Sequence, residues 1–309
     1  MIEVCSIAVL LGGVGAAGDV EMDCLEKNLQ EHVRVLSSEI GERNMGRYEN
    51  LQSAARYIEG VLKRYGHAVQ SQPYRVEGRE VRNIIVTLPG NRLADKTIVV
   101  GAHYDSVEGS PGADDNASGV AGVLELTRLF SGQAVSKTIK LIAFVNEEAP
   151  YFLRWQMGSQ HYVRRAREQN EEIEAMMSLE MIGYYTDRKH SQYYPLGLRF
   201  FYPDTGNFIG VVGHLKFLGV YRKIKNALQK HSSVPVESLA GVGWIPGVDL
   251  SDHASFWREG YPAVMITDTA FYRNPNYHAP SDTYETLNYQ RMAEVVKGLY
   301  HTLISLDQS

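Results

Sequence analysis

Cysteine is nearly absent: the 309-residue chain has two, Cys5 and Cys24. Both lie near the N-terminus, far from the histidines and acids discussed below, which excludes a disulfide framework and a thiolate metal site. Long apolar runs are missing too. Residues 6–17, SIAVLLGGVGAA, are too few to cross a bilayer but match the apolar part of an export signal. Ala16 and Ala17 offer a cleavage site, whereas Glu3 stands where a signal carries Lys or Arg. Residues 1–20 therefore read as a signal or another N-terminal apolar segment, with an exported location favoured over the cytoplasm and a buried strand as the other reading. An excess of positive charge is lacking as well. The 31 basic and 36 acidic residues give a net charge of −5 and form no basic stripe, which excludes nucleic acid as a partner. There is no internal repeat, low-complexity tract or linker. With 44% hydrophobic and 22% charged residues, the chain is expected to fold as one domain over residues 21–309.

Two amphipathic helices are predicted over residues 25–41 and 47–65, from Leu29, Val33 and Leu36 and from Leu51, Ala55, Ile58 and Leu62. Alternation from His67 to Leu88 around Glu77-Gly78 predicts a hairpin. Apolar runs then alternate with polar loops and helical stretches. Strands are expected at Thr97–Gly101, Thr138–Val145, Ala175–Ile182 and Ala263–Thr267, with a further apolar run at Phe208–Val212. Helices are expected at Ala117–Phe130, Ser159–Gln169, Leu218–Lys230 and Tyr289–Leu306. This is the pattern of an α/β fold. Residues 184–206, rich in Tyr, Phe, Gly and Pro, show neither period and read as an inserted loop.

Ligands of open α/β sheets collect beyond the carboxyl ends of the strands, and there the chemistry-bearing residues recur. His103 and Asp105 follow the first apolar strand, Glu147 and Glu148 the second, and Glu180 ends the third. Asp114-Asp115 precede a helix, and His278 lies in a late polar loop. Taken singly, each has a structural explanation: a core histidine, a helix cap, an acidic first turn. Together they place several charges after separate buried strands, a costly arrangement that metal binding relieves. Oxygen and nitrogen donors without sulfur suit zinc, and a shared carboxylate is able to bridge a pair of ions.

At these residues the sequence resembles the di-zinc aminopeptidases of bacteria, relatives of glutamate carboxypeptidase and the glutaminyl cyclases. The matching strings are GAHYDSV at 101–107, GADDNASG at 112–119, NEE at 146–148, SLEMIG at 178–183, SDHASF at 251–256 and YHAPSDT at 277–283. The resemblance covers about residues 80–305 and implies a three-layer α/β/α sandwich around a mixed, largely parallel sheet. It also implies that His103 and Glu180 hold one zinc, Glu148 and His278 the other, and that Asp115 bridges them. Glu147 is then the general base and Asp105 the carboxylate that orients His103. The implied activity is release of N-terminal residues from peptide or amino-acyl substrates. Glutaminyl cyclase, an acyltransferase, and a noncatalytic binding module are the alternatives on this fold. The GADDNASG string favours the hydrolase over the cyclase, and retention of Glu147 with five ligands argues against a noncatalytic module.

The match departs in two places. The family usually has Asp where Glu180 stands, which lengthens that ligand's arm and bears on the second zinc. Ala149–Met157 is longer than the family's step to Gly158-Ser159, so this insert is expected beside the base. Phe271 and Tyr272 are candidates for the substrate pocket or for core. Arg154 reads as solvent-facing rather than as a reader of substrate carboxylate, and His253 as structural.

Overall fold

The structure, a computed structural model, describes residues 21–195, 197–241 and 245–309. The apolar segment 1–20 and its reading as an export signal lie outside them. Helix α1 (Met22–Arg34) continues through a wider turn to Ile40 and is followed by α2 (Tyr48–Arg64). Leu25, Leu29, Val33 and Leu36 recur at helical spacing and are all buried, so this stripe fixes α1 on the core. Truncating one of them to Ala costs about 2–5 kcal/mol. The expected hairpin is β1 (Val69–Val76) and β2 (Arg79–Leu88). Then come β3 (Gly90–His103), α3 (Gly119–Leu129), β4 (Val135–Phe144), α4 (Gly158–Glu168) and β5 (Glu172–Glu180). The chain closes with β6 (Ile209–His214), α5 (Leu218–His231), β7 (Val236–Gly241), α6 (His253–Arg258), β8 (Ala263–Thr267) and α7 (Tyr289–Asp307).

The strands form one sheet in the order β1-β2-β4-β3-β5-β8-β6-β7. Its centre, β4-β3-β5-β8, is parallel, while β1–β2, β2–β4 and β6–β8 pair antiparallel. Along β3, Ile98 and Val100 pack with α1, α2, α3 and α7, and Val99 points the other way, towards α4 and α6. Helices therefore cover both faces, which is why Thr97–His103 reads as an unbroken buried run. This is the α/β/α sandwich expected. Among the described residues no helix is long and apolar enough to cross a membrane.

Three elements differ from the sequence reading. β3 starts at Gly90, before its apolar run, because Gly90 lets the backbone pass close to β4: a Cβ there would lie 2.6 Å from the Ser136 carbonyl oxygen. β7 is a half-exposed edge strand without apolar alternation, and α6 has six residues, too few for a period to show. Between β5 and β6 the described residues run through turns and coil, with a short 3-10 helix at Leu198–Phe200.

Candidate metal centre

The parallel strands deliver their carboxyl ends to one place. His103 is the last residue of β3, Glu180 the last of β5, and Glu147-Glu148 follow β4 by three residues. Asp115 lies in the loop before α3, and His278 in the loop after β8. Asp115 stands between the two histidines. Its Oδ1 lies 3.3 Å from His103 Nε2 and its Oδ2 3.1 Å from His278 Nε2. Glu180 Oε2 is 3.4 Å from His103 Nε2, and Glu148 Oε2 is 3.4 Å from His278 Nε2. Two donor groups result, His103–Asp115–Glu180 and Asp115–Glu148–His278.

These spacings test whether a metal fits. Tetrahedral zinc with ligand distances of ~2.0–2.1 Å holds its donors about 3.3 Å apart. The histidine-to-carboxylate distances of both groups, 3.1–3.4 Å, match that spacing. His103 Nε2, Asp115 Oδ1 and Glu148 Oε1 are buried without a hydrogen-bond partner, a costly state for polar atoms unless a cation meets them. Glu180, one methylene longer than the family's Asp, still reaches its group, with Ser251 Oγ donating to its Oε2 at 2.7 Å.

Electrostatics point the same way. Burial and the neighbouring Glu180 and Glu148 carboxylates push the Glu147 carboxyl well above its ordinary range, against the pull of His103. Burial and Asp115 push Glu148 up to about 7. Burial opposes a charged Asp115 as well, but the adjacent His103 and His278 imidazoles overrule it and hold its carboxyl below the usual range. The His278 imidazole, despite burial, is raised to about 10 by Asp115 and Glu148. Four carboxylates thus face two imidazoles in a buried site, an imbalance that divalent cations neutralise.

The loops are held by buried carboxylates. Asp105 accepts the backbone N–H of Glu147 at 3.1 Å and of Glu148 at 3.0 Å. Its backbone carbonyl faces His103 Nδ1 at 3.2 Å, while its carboxylate lies 3.6 Å from that nitrogen. Asp105 therefore fixes the acidic loop through its side chain and meets the imidazole through its main chain. Asp282 clamps the opposite loop, accepting the N–H of Asp114 at 2.9 Å and of Asp115 at 3.1 Å. The buried Arg43 donates to the carbonyls of Tyr104, Pro111 and Gly112, pinning the chain between His103 and Asp115. Sequence reasoning assigned no role to Asp282, Ser251 or Arg43. The first two sit inside quoted strings, four residues after His278 and two before His253; nothing local marks Arg43.

Glu147 is not engaged in this way. Among the described residues its carboxylate makes no hydrogen bond, and it faces a mouth of about 180 Å³ lined also by Phe152, Tyr277 and His278. The insert after Glu148 shapes that mouth through Phe152, while Tyr151 reaches Glu77 and Arg154 and Trp155 face solvent. His253 Nε2 donates to the Val248 carbonyl at 2.8 Å and its ring packs edge-on against Trp257, outside both donor groups. A second cavity, of about 110 Å³, opens beside Glu180 and is largely apolar, with several aromatic rings in its wall. The structure places Phe271 and Tyr272 in its wall, with Tyr193, Tyr194 and Leu198 from the 184–206 segment.

Residues 83–303 match the model of peptidase family M28. The chain belongs to this family. This M28 chain is 41% identical over 282 residues to the uncharacterized protein YfbL of Escherichia coli (strain K12), covering 88% of this chain and 86% of YfbL. It is 28% identical over 290 residues to leucine aminopeptidase 1 of Metarhizium robertsii, covering 87% of this chain and 65% of that relative's length. The M28 fold is shared with a zinc aminopeptidase of Bacillus subtilis, with a TM-score of 0.68 at 18% identity over 89% of this chain and 94% of that one. A glutaminyl cyclase of Bacteroides thetaiotaomicron also has a TM-score of 0.68 at 18% identity, over 93% and 98% of the two chains. At that identity, likeness to either structure speaks for the fold alone. Membership of the family makes this chain a metallopeptidase, and a peptidase acts on peptides.

Proposed function

We propose that this metallopeptidase is an aminopeptidase with two zinc ions, His103 and Glu180 holding one, Glu148 and His278 the other, and Asp115 both. The observation that carries the reading is Asp115, whose two oxygens face two different histidines at 3.3 and 3.1 Å. Bound zinc would supply Lewis acidity, polarising the amide carbonyl and making water acidic enough to give up a proton near neutrality. Glu147 receives that proton. Burial has raised its carboxyl, its oxygens have no competing donor, and it opens into the mouth where substrate enters. It then returns the proton to the leaving amine. Asp105 holds Glu147 and Glu148 in register through their amides, so that one carboxylate binds metal while its neighbour titrates. Glu147 and Glu180 also offer negative charge to a free α-amino group. Phe271 and Tyr272 border the place its side chain occupies.

The test compares the zinc-loaded protein on amino-acid anilides, N-blocked peptides and peptides beginning with Gln. Release from free N-termini alone is expected. Cleavage of blocked peptides, or cyclisation of Gln without hydrolysis, overturns the assignment.

A further inference from the structure

The aromatic cavity contains one residue that its apolar character does not explain. Glu237, in the edge strand β7, lines it, is half-buried, and among the described residues makes no ion pair and accepts no side-chain hydrogen bond. Burial raises its carboxyl above the ordinary range. Other polar groups of the lining are engaged. Gln192 donates to Thr269 Oγ1 and accepts from Arg273, and the Tyr202 hydroxyl donates to the Ser238 carbonyl.

The sheet register connects Glu237 with the metal centre. Glu180 of β5 stands beside Thr267 of β8, Thr267 beside Gly210 of β6, and Gly210 beside Glu237 of β7. Neighbours in such a row point to the same face of the sheet. Thr267 carries a short side chain and Gly210 none, so the row is a trough with a carboxylate at each end. All four residues line the cavity. Three strand spacings of ~4.8 Å set the two ends roughly 14 Å apart. Its walls include Tyr194, Tyr202, Phe208 and Tyr272.

We propose that this trough is the subsite for a cationic N-terminal side chain, Lys or Arg, with Glu237 as its specificity-determining residue. The inference rests on the aminopeptidase reading, which sets the scissile bond at the Glu180 end. A side chain entering from there crosses Thr267 and Gly210 before it meets Glu237. Leu ends partway along. The long methylene stems of Lys and Arg lie against the aromatic walls and carry their charge to the far carboxylate. A purely apolar guest of the same length, norleucine, leaves Glu237 buried and unpaired.

Two measurements decide it. The first is kcat/KM of the zinc-loaded enzyme on Arg, Lys, norleucine and Leu anilides. Arg and Lys are expected to exceed norleucine by about ten-fold or more, the discrimination given by a hydrogen bond between charged groups. Glu237→Gln is expected to bring the Arg-to-norleucine ratio close to one. A wild-type preference for norleucine or Leu, or a Glu237→Gln variant with an unchanged ratio, overturns the proposal. The second reads binding without turnover: calorimetry of zinc-loaded Glu147→Gln protein with argininamide and norleucinamide. Argininamide is expected to bind about ten-fold tighter, and Glu237→Gln added to the same protein to remove the difference; equal binding by the two amides overturns the subsite. If no free N-terminus is hydrolysed, the aminopeptidase reading fails while this second measurement still decides the role of Glu237.

Discussion

The mouth of the candidate metal centre and the aromatic-walled cavity share Glu180, Leu250 and Tyr277, yet the two regions are built by different means. The metal centre stands on the carboxyl ends of β3, β4 and β5, the buried parallel heart of the sheet. Each of its two acidic loops is tied by a buried carboxylate that accepts two backbone N–H groups, Asp105 on one side and Asp282 on the other. The cavity stands on β6 and the edge strand β7 and is closed by residues 192–195, Leu198 and the turn at 246–250. One side holds imidazole and carboxylate donors 3.1–3.4 Å apart; the other offers aromatic surface and a single unengaged carboxylate. The difference separates chemistry from selection: substitutions on the strand-end side should abolish turnover for every substrate, and those on the edge side should re-rank substrates.

The largest effect belongs to Asp115. Asp115→Asn weakens both donor groups at once, so zinc content and activity should both fall to background; an active, zinc-replete variant would detach the bridging role from this residue. Glu147→Gln comes next, with kcat lowered by about 10²–10⁴-fold and zinc unchanged by elemental analysis. Loss of zinc in that variant would turn Glu147 into a ligand. Asp105→Asn and Asp282→Asn each keep the shape but exchange one acceptor oxygen for a donor facing a backbone N–H. Each should cost about 10–100-fold in zinc affinity or activity, measured by chelator competition. If both are silent, the loops are held by the fold and not by the clamps. The smallest changes are expected in the cavity wall. Phe271→Ala and Tyr272→Ala should shift kcat/KM by about ten-fold or less, unequally among anilides and with full zinc content; equal losses on all substrates would erase the division between the two regions.

The same division governs what was legible in the sequence. β3, β4, β5 and β8 announce themselves as apolar runs because helices cover both their faces, and a charged residue directly after such a run is conspicuous. His103, Glu147, Glu148 and Glu180 were visible for that reason; the structure joins His103, Glu148 and Glu180 with Asp115 and His278 in two donor groups and sets Glu147 Oε2 3.8 Å from His103 Nε2. The role of Asp105 was visible only in outline. Its neighbourhood to His103 follows from two residues of chain, whereas its grip on the Glu147 and Glu148 amides depends on how β3 and β4 pair. Arg43 acts across 69 residues of sequence and leaves no local trace, whereas Asp282 stands inside a quoted string but clamps the Asp114 amide 168 residues away. Glu237 is harder still. Its strand lies at the sheet edge without apolar alternation, and its position opposite Glu180 exists only through three successive strand pairings.

Zinc stoichiometry tests the central claim most directly, because the account depends on two donor groups joined through Asp115. Elemental analysis of the purified, zinc-dialysed protein should give two zinc ions per chain, and Glu180→Ala should leave one. One ion in the wild-type protein, with the same value in Glu180→Ala, would contradict it.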